Sequence, residues 1–297
     1  MRIRITTLLL ILLCIACSPG HKAGEHFVSL ESFSELSEYL RWHPDGTPLI
    51  GAHRGGPAPG FPENCIATFE RSLAFAPCLI EIDIQKSKDD VLLLLHDDDL
   101  SRTTTGEGGV PEYTLAELKE LNLVDGDGMT TEYRIPTLAE ALEWARGKAI
   151  LELDFKRPVM PAEIVQSIQK HEAHSYTIVI TYNWHTAELF YQLDPEIVIS
   201  CSAQGMEGVD YLLQSLVPPE NLIAFVGVSE PSSEVYQALH RAGIRTILGT
   251  MGNLDRSADA NGVKVYIDLL RNGADVLATD NVASASKAID AYLKSRK

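Results

Sequence analysis

The chain has 297 residues and carries 41 Asp and Glu against 25 Lys and Arg, a formal charge of −16. No basic block interrupts this acidity, which argues against nucleic acid and against electrostatic binding to a membrane surface. Five cysteines spread over such a length make no disulfide framework and include no CxxC or Cys/His zinc spacing.

The chain opens on Met1-Arg2-Ile3-Arg4, an apolar run over 8–16 and then Cys17-Ser18-Pro19-Gly20. That run is too short for a hydrocarbon layer of about 30 Å, and its basic start and small-residue end are those of an exported precursor. Leu13-Cys14-Ile15-Ala16-Cys17 reads as a bacterial lipobox, with Cys14 where Leu is usual, so Cys17 is expected to become the lipid-carrying first residue. Residues 1–17 are thus the expected signal, 18–28 a Ser/Gly/Pro-rich tether and 29–297 one folded domain. The expected location is outside the cytoplasm, membrane-anchored by that lipid or else simply secreted.

After the tether, 30–40 has the spacing of an amphipathic lead-in helix, 49–52 is the first strand, and 65–76 is a helix stopped by Pro77, with Ala67, Leu73 and Ala74 facing inward. Further strands are expected at 79–84, 149–155, 178–181, 196–200, 222–225, 244–248 and 275–278, eight with the first. Helices fall between them at 137–146, 162–170, 184–193, 209–216, 233–242, 262–272 and 283–294, several closing at a glycine such as Gly147, Gly243 or Gly273. Such alternation predicts a parallel α/β architecture, and roughly 270 mature residues suit one TIM (β/α)8 barrel. The longest interruption, 97–136, is Gly-rich with one helical piece at 115–121, and is expected to be a loop excursion forming a lid or substrate wall. The apolar run 91–95 fits either the ring or that excursion.

Chemistry-bearing residues gather where the early strands end: His53-Arg54, Glu63-Asn64, Glu81-x-Asp83 and His96-Asp97. Strand alternation puts Glu81 and Asp83 on one face, and equally Glu152, Asp154 and Lys156. Any one pair alone is an ordinary polar strand end. Together they follow the pattern of barrel enzymes, whose chemistry sits at the carboxyl ends of the strands. An anionic substrate of so acidic a chain needs a local attraction, from Arg54, Lys156 or a bound cation.

The ordered series Ala52-His53-Arg54-Gly55, Pro62-Glu63-Asn64, Glu81-Ile82-Asp83, His96-Asp97, Arg102-Thr103-Thr104-Thr105-Gly106, Ile135-Pro136-Thr137-Leu138, Asp154-Phe155-Lys156 and Ala278-Thr279-Asp280-Asn281 resembles the glycerophosphodiester phosphodiesterases, over about 49–295. The resemblance implies a TIM barrel that uses one divalent metal to hydrolyse a small glycerophosphodiester to glycerol 3-phosphate and an alcohol. It implies Glu81 and Asp83 as metal ligands, with Asp154 the third where many members have Glu; by its two-residue spacing on the same strand face, Glu152 is the alternative, with Asp154 then supporting it. His53 and His96 match the acid/base pair, Arg54 and Lys156 the phosphate-contacting cations, and Glu63 and Asn64 a supporting polar corner. Asp97 orients His96 or caps the next turn, and Asp280 is expected as a hydrogen-bond acceptor on the barrel rim with no catalytic part.

The chemistry agrees with these roles. A phosphodiester resists attack, so its site needs positive charge on the non-bridging oxygens, a proton acceptor and a proton donor. Ligation by carboxylates alone suits a hard cation, Ca2+ or Mg2+. Which histidine is acid and which base stays open. So does the alcohol, because Leu248-Gly249-Thr250-Met251-Gly252 stands where many members have a Trp and a polar residue; Cys65 replaces the Thr usual after Glu-Asn. Two other readings are a phospholipase D-like or phosphatidylinositol-cleaving lipase on the same barrel, and a catalytically silent binding lipoprotein. The first calls for an apolar lip, whereas 98–132 is polar and Gly-rich; the second calls for loss of a His or an acid, and all are present. A membrane partner is expected only through the N-terminal anchor.

Overall fold

A computed structural model describes residues 26–296; the expected signal, Cys17 and most of the tether lie outside the described residues. Eleven strands follow in chain order: β1 Leu49–Ala52, β2 Cys78–Lys86, β3 Leu92–Leu94, β4 Asn122–Val124, β5 Thr130–Arg134, β6 Ile150–Phe155, β7 Thr177–Thr181, β8 Val198–Ser202, β9 Leu222–Phe225, β10 Arg245–Gly249 and β11 Val276–Thr279. Eight of them, in the order β1-β11-β10-β9-β8-β7-β6-β2, pair parallel and close on themselves through β1 and β2. The fold is a TIM barrel. Among the described residues no helix is long and apolar enough to cross a membrane.

Strands buried on both faces need apolar residues throughout, and these have them. One side chain from each ring strand (Leu49, Leu79, Ile150, Ile178, Val198, Ile223, Ile247 and Val276) meets in a single buried cluster at the amino end of the barrel, where Leu36 and Leu40 of helix Phe33–Leu40 stopper it. Burying each such side chain contributes roughly 1.5–3 kcal/mol. A larger core lies between the other faces of the strands and the surrounding helices. With period two, the next inward positions toward the carboxyl ends are Gly51, Glu81 and Glu152, then Asp83 and Asp154. The apolar plug thus supports a polar upper layer.

The run at 91–95 belongs to the excursion. β2 continues past the ring to Lys86, and β3 folds back antiparallel on that extension, pairing Ile84 with Leu94 and Lys86 with Leu92. Residues 97–136 are a packed wall: Leu93, Leu95, Leu100, Val110, Leu118, Leu123 and Ile135 enclose a small core of their own together with Cys65. This wall includes an antiparallel pair, β4 with β5, absent from the sequence expectation. Other elements also differ from it, among them the helix expected at 209–216, which runs over Gly205–Leu213. The strand expected at 196–200 lies two residues later as β8, and a second helix, Asn253–Asn261, precedes Lys264–Asn272. That extra helix, Asn-Leu-Asp-Arg-Ser-Ala-Asp-Ala-Asn, has too few apolar side chains to show a helical period.

Candidate active site

β1 ends in a tight turn, His53–Gly55, whose backbone is left-handed at Arg54 (φ 51°), Gly55 (φ 85°) and Gly56 (φ 79°). Only glycine fits the middle of it, since a Cβ at position 55 would lie 2.3 Å from Phe69 Cδ1. The turn aims the Arg54 N–H at Glu81 Oε2 and leaves His53 at the barrel mouth. Across the ring, Asp280 just beyond β11 meets His53 Nδ1 at 2.7 Å. Asn64, also left-handed (φ 54°), ties the following loop down by a reciprocal pair: its Nδ2 donates to Asp83 Oδ2 at 2.8 Å, and the Asp83 N–H donates to its Oδ1 at 2.9 Å.

The second histidine arrives from β3. His96 Nδ1 meets Asp97 Oδ1 at 2.7 Å, and the other Asp97 oxygen accepts from Arg102 Nε. Arg102 forks onto Glu63 at 2.9 and 2.8 Å, and Glu63 also accepts from Arg54 Nη1 at 3.1 Å on each oxygen. The Arg102 hydrogen bond, helped by His96, pushes the Asp97 carboxyl down to about 2 against its partial burial.

Glu81, Asp83 and Asp154 stand on neighbouring strands, Asp83 in register with Asp154, and each offers an oxygen within 4.8 Å of the others'. Lys156 Nζ donates to Asp83 Oδ1 at 2.8 Å and to Asp154, and Tyr182 Oη donates to the same Asp154 oxygen at 2.7 Å. Burial, then Asp83 and Asp154, hold the Glu81 carboxyl well above its ordinary range. Burial opposes the Lys156 charge, but the two aspartates outweigh it and raise its pKa above the lysine range.

This donor set fits a divalent cation. Three carboxylates converge against the Lys156 ammonium and, 3.8 Å from Asp83, the Arg54 guanidinium; Asp154 Oδ1 is buried without a partner, and the repulsion felt by Glu81 is what a cation would relieve. Asp154, and not Glu152, belongs to this group. Glu152 pairs with Glu81 deeper in the barrel; burial, opposed by a hydrogen bond with Ser200, brings its carboxyl up to about 7.

Every residue the sequence singled out as a site candidate in the folded domain is therefore found at one barrel mouth. His53, His96, Glu81, Asp83, Glu152, Asp154 and Lys156 line one cavity of about 200 Å³, and Arg54, Glu63, Asn64 and Asp97 brace it from behind. His174 and His240 pair instead with Asp194 and Asp275, away from this cavity. The cavity opens beside His96, Lys156 and Tyr182 into a groove of about 1040 Å³ running past Asp98, Asp99 and Met160. Sequence reasoning left two members without a role. Arg102 was visible only as part of a motif, and Tyr182, directly after Thr181 at the carboxyl end of β7, carried only the signal of its place.

Comparison with known proteins gives a consistent result. The family model for glycerophosphoryl diester phosphodiesterases matches residues 53–285. A glycerophosphodiester phosphodiesterase of Caldanaerobacter subterraneus is 32% identical over 159 residues, a match spanning 51% of this chain and 65% of that protein's length. One of Bacillus altitudinis is 27% identical over 244 residues, 78% of this chain and 94% of its own. The crystal structure of a glycerophosphoryl diester phosphodiesterase from Parabacteroides distasonis is 34% identical and superimposes with a TM-score of 0.86, covering 90% of this chain and 95% of that one. The chain belongs to the glycerophosphoryl diester phosphodiesterase family.

Proposed function

We propose that the protein is a metal-dependent phosphodiesterase that cleaves a glycerophosphodiester to glycerol 3-phosphate and an alcohol, with His53 and His96 as its proton-transfer pair. The observation that carries this reading is that both histidines have Nδ1 against an aspartate and share one cavity with three carboxylates and Lys156. An Nδ1–H that donates to Asp280 or Asp97 leaves Nε2 as the nitrogen that faces the reaction. One Nε2 removes the proton of the attacking hydroxyl, from water or from the neighbouring glycerol carbon, as its oxygen bonds to phosphorus. The other, entering the step with a proton on Nε2, gives it to the alkoxide oxygen whose bond to phosphorus breaks. Where the glycerol hydroxyl attacks, the product is a cyclic phosphate that water then opens, with the two histidines exchanging roles. Lys156, which lines the cavity, attracts the phosphate into an otherwise acidic mouth, and Arg54, behind it and held by Glu63, adds positive charge at longer range. Glu81, Asp83 and Asp154 would hold Ca2+ or Mg2+, which supplies positive charge against the non-bridging oxygens.

The test is release of glycerol 3-phosphate from glycerophosphocholine, glycerophosphoethanolamine, glycerophosphoglycerol and glycerophosphoinositol, each with EDTA and with metal added back. His53→Ala and His96→Ala are expected to lose about 10²–10⁴ in rate. Full activity in both variants overturns the mechanism. A lipase reading gains support from the exposed side chains flanking the groove, Met160 (60%), Tyr182 (68%) and Leu189 (43%), which an acyl chain could cover. Lysophosphatidylcholine belongs in the same assay; cleavage of it in preference to glycerophosphocholine favours that reading.

Export and anchoring through Cys17 belong to the proposal, supported by the basic start, the apolar run and the lipobox-like segment. Cys17→Ala is expected to move the protein from the membrane to the soluble fraction of its host. An unchanged membrane fraction would count against the anchor.

A further inference from the structure

Helix Asn253–Asn261 carries a charged residue that the proposed chemistry does not use. Asp255 is only 6% exposed. It accepts from Tyr266 Oη at 2.8 Å, from the Asp280 N–H at 3.0 Å, and from Thr279 Oγ1, which lies 2.9 Å from both of its oxygens. Thr279 Oγ1 in turn accepts from the Asn281 N–H at 2.9 Å. A buried carboxylate is costly unless it is well hydrogen-bonded, and this one turns most of its capacity on residues 279–281.

That turn carries Asp280, whose carboxylate meets His53 Nδ1 across the barrel mouth. The Asp280 side chain is 47% exposed, so water competes for it, and its grip on His53 comes from where the backbone holds it. We infer that Asp255 is a positioning residue for His53: by clamping the Thr279-Asp280 turn it keeps Asp280 on Nδ1, fixing the ring so that Nε2 faces the substrate. An amide at position 255 could not do the same. Asn offers one acceptor oxygen where Asp offers two, and its NH2 would oppose the donors that converge there. The inference rests on reading His53 as a proton-transfer group.

The experiment compares Asp255→Asn, Asp280→Asn and the double variant, by steady-state kinetics on glycerophosphocholine and by 15N NMR of the histidine rings. Each single variant is expected to lower kcat about 10–100-fold, with KM within about twofold, as for lost orienting partners. The double variant is expected to be no slower than the slower single, because both act along one path. The His53 ring is expected to shift from one Nδ1–H tautomer to a mixture in either single variant. Wild-type kcat with an unchanged His53 spectrum in Asp255→Asn overturns the inference, as do losses that multiply in the double variant. Should Asp255→Asn fail to fold, Thr279→Val cuts the same link and carries the same expectations. If His53→Ala keeps full activity, the acid–base reading falls, while the His53 spectrum of the Asp255 variant still decides whether the clamp exists.

Discussion

From His96 to Arg54 runs an unbroken line of hydrogen bonds: His96, Asp97, Arg102, Glu63, Arg54. Glu63 is its centre, since both of its oxygens serve both guanidiniums. Replacing it with Gln leaves Arg54 and Arg102 facing each other with no charge between them, and the two halves of the site lose their common brace. Glu63→Gln is expected to cost about 10–100-fold in kcat/KM by the precedent of lost orienting partners; activity within twofold of wild type would show that the brace is dispensable. Asp97 makes a pH prediction. Its folded carboxyl is pushed down to about 2, so the unfolded chain binds its proton more tightly. Its contribution to stability is therefore complete above the ordinary carboxylate pKa of about 3.9 and is lost as pH falls toward about 2. Melting temperature measured between pH 5 and 2 should fall less steeply in Asp97→Asn than in wild type, and identical slopes would contradict this.

Among the elements, the turn after β1 is the most constrained. Gly55→Ala adds a methyl group at positive φ and on top of the Phe69 ring, so it should destabilise the fold by roughly 1–3 kcal/mol and displace His53 and Arg54 together. Far-UV circular dichroism with thermal melts would check the first part and loss of turnover the second. Helix Leu138–Ala145 begins in a capping box, Thr137 with Glu140, and Thr137→Ala should cost about 1 kcal/mol. That corresponds to roughly 2–4 °C in Tm for a domain of this size, with kcat unaffected.

Legibility follows the same scale. The eight ring strands lie within two residues of their expected places, because a continuous apolar run is a local signal, and a glycine or proline bounds several of them, as Pro48 and Pro77 do before β1 and β2. β4 and β5 carry no such signal: β4 is three residues long, and β5 is Thr-Thr-Glu-Tyr-Arg, alternating only between half-buried and exposed. The carboxylates and histidines were readable because strand alternation fixes a face. The partners of Arg102, Tyr182 and Asp280 were not, since they depend on where loops land after the ring has closed. Asp255 was unreadable for the added reason that its helix shows no period.

At the scale of the molecule, the carboxylate cluster makes a prediction independent of turnover. A cation that binds only the folded protein stabilises it by about 2.7 kcal/mol at a hundred times its Kd. Calorimetry should show a Tm rise with Ca2+ or Mg2+ that Asp154→Asn largely removes; no rise with either ion would argue against these three carboxylates as ligands. The ring also constrains time. β1 pairs with β11, and His53 meets a carboxylate 227 residues further along the chain. On the proposed chemistry, a chain that stops before β11 lacks both the neighbour of β1 and the Asp280 carboxylate on His53, and it is expected to release no glycerol 3-phosphate. The two ends of the barrel's sequence thus meet at a single seam, and that seam waits on closure of the ring.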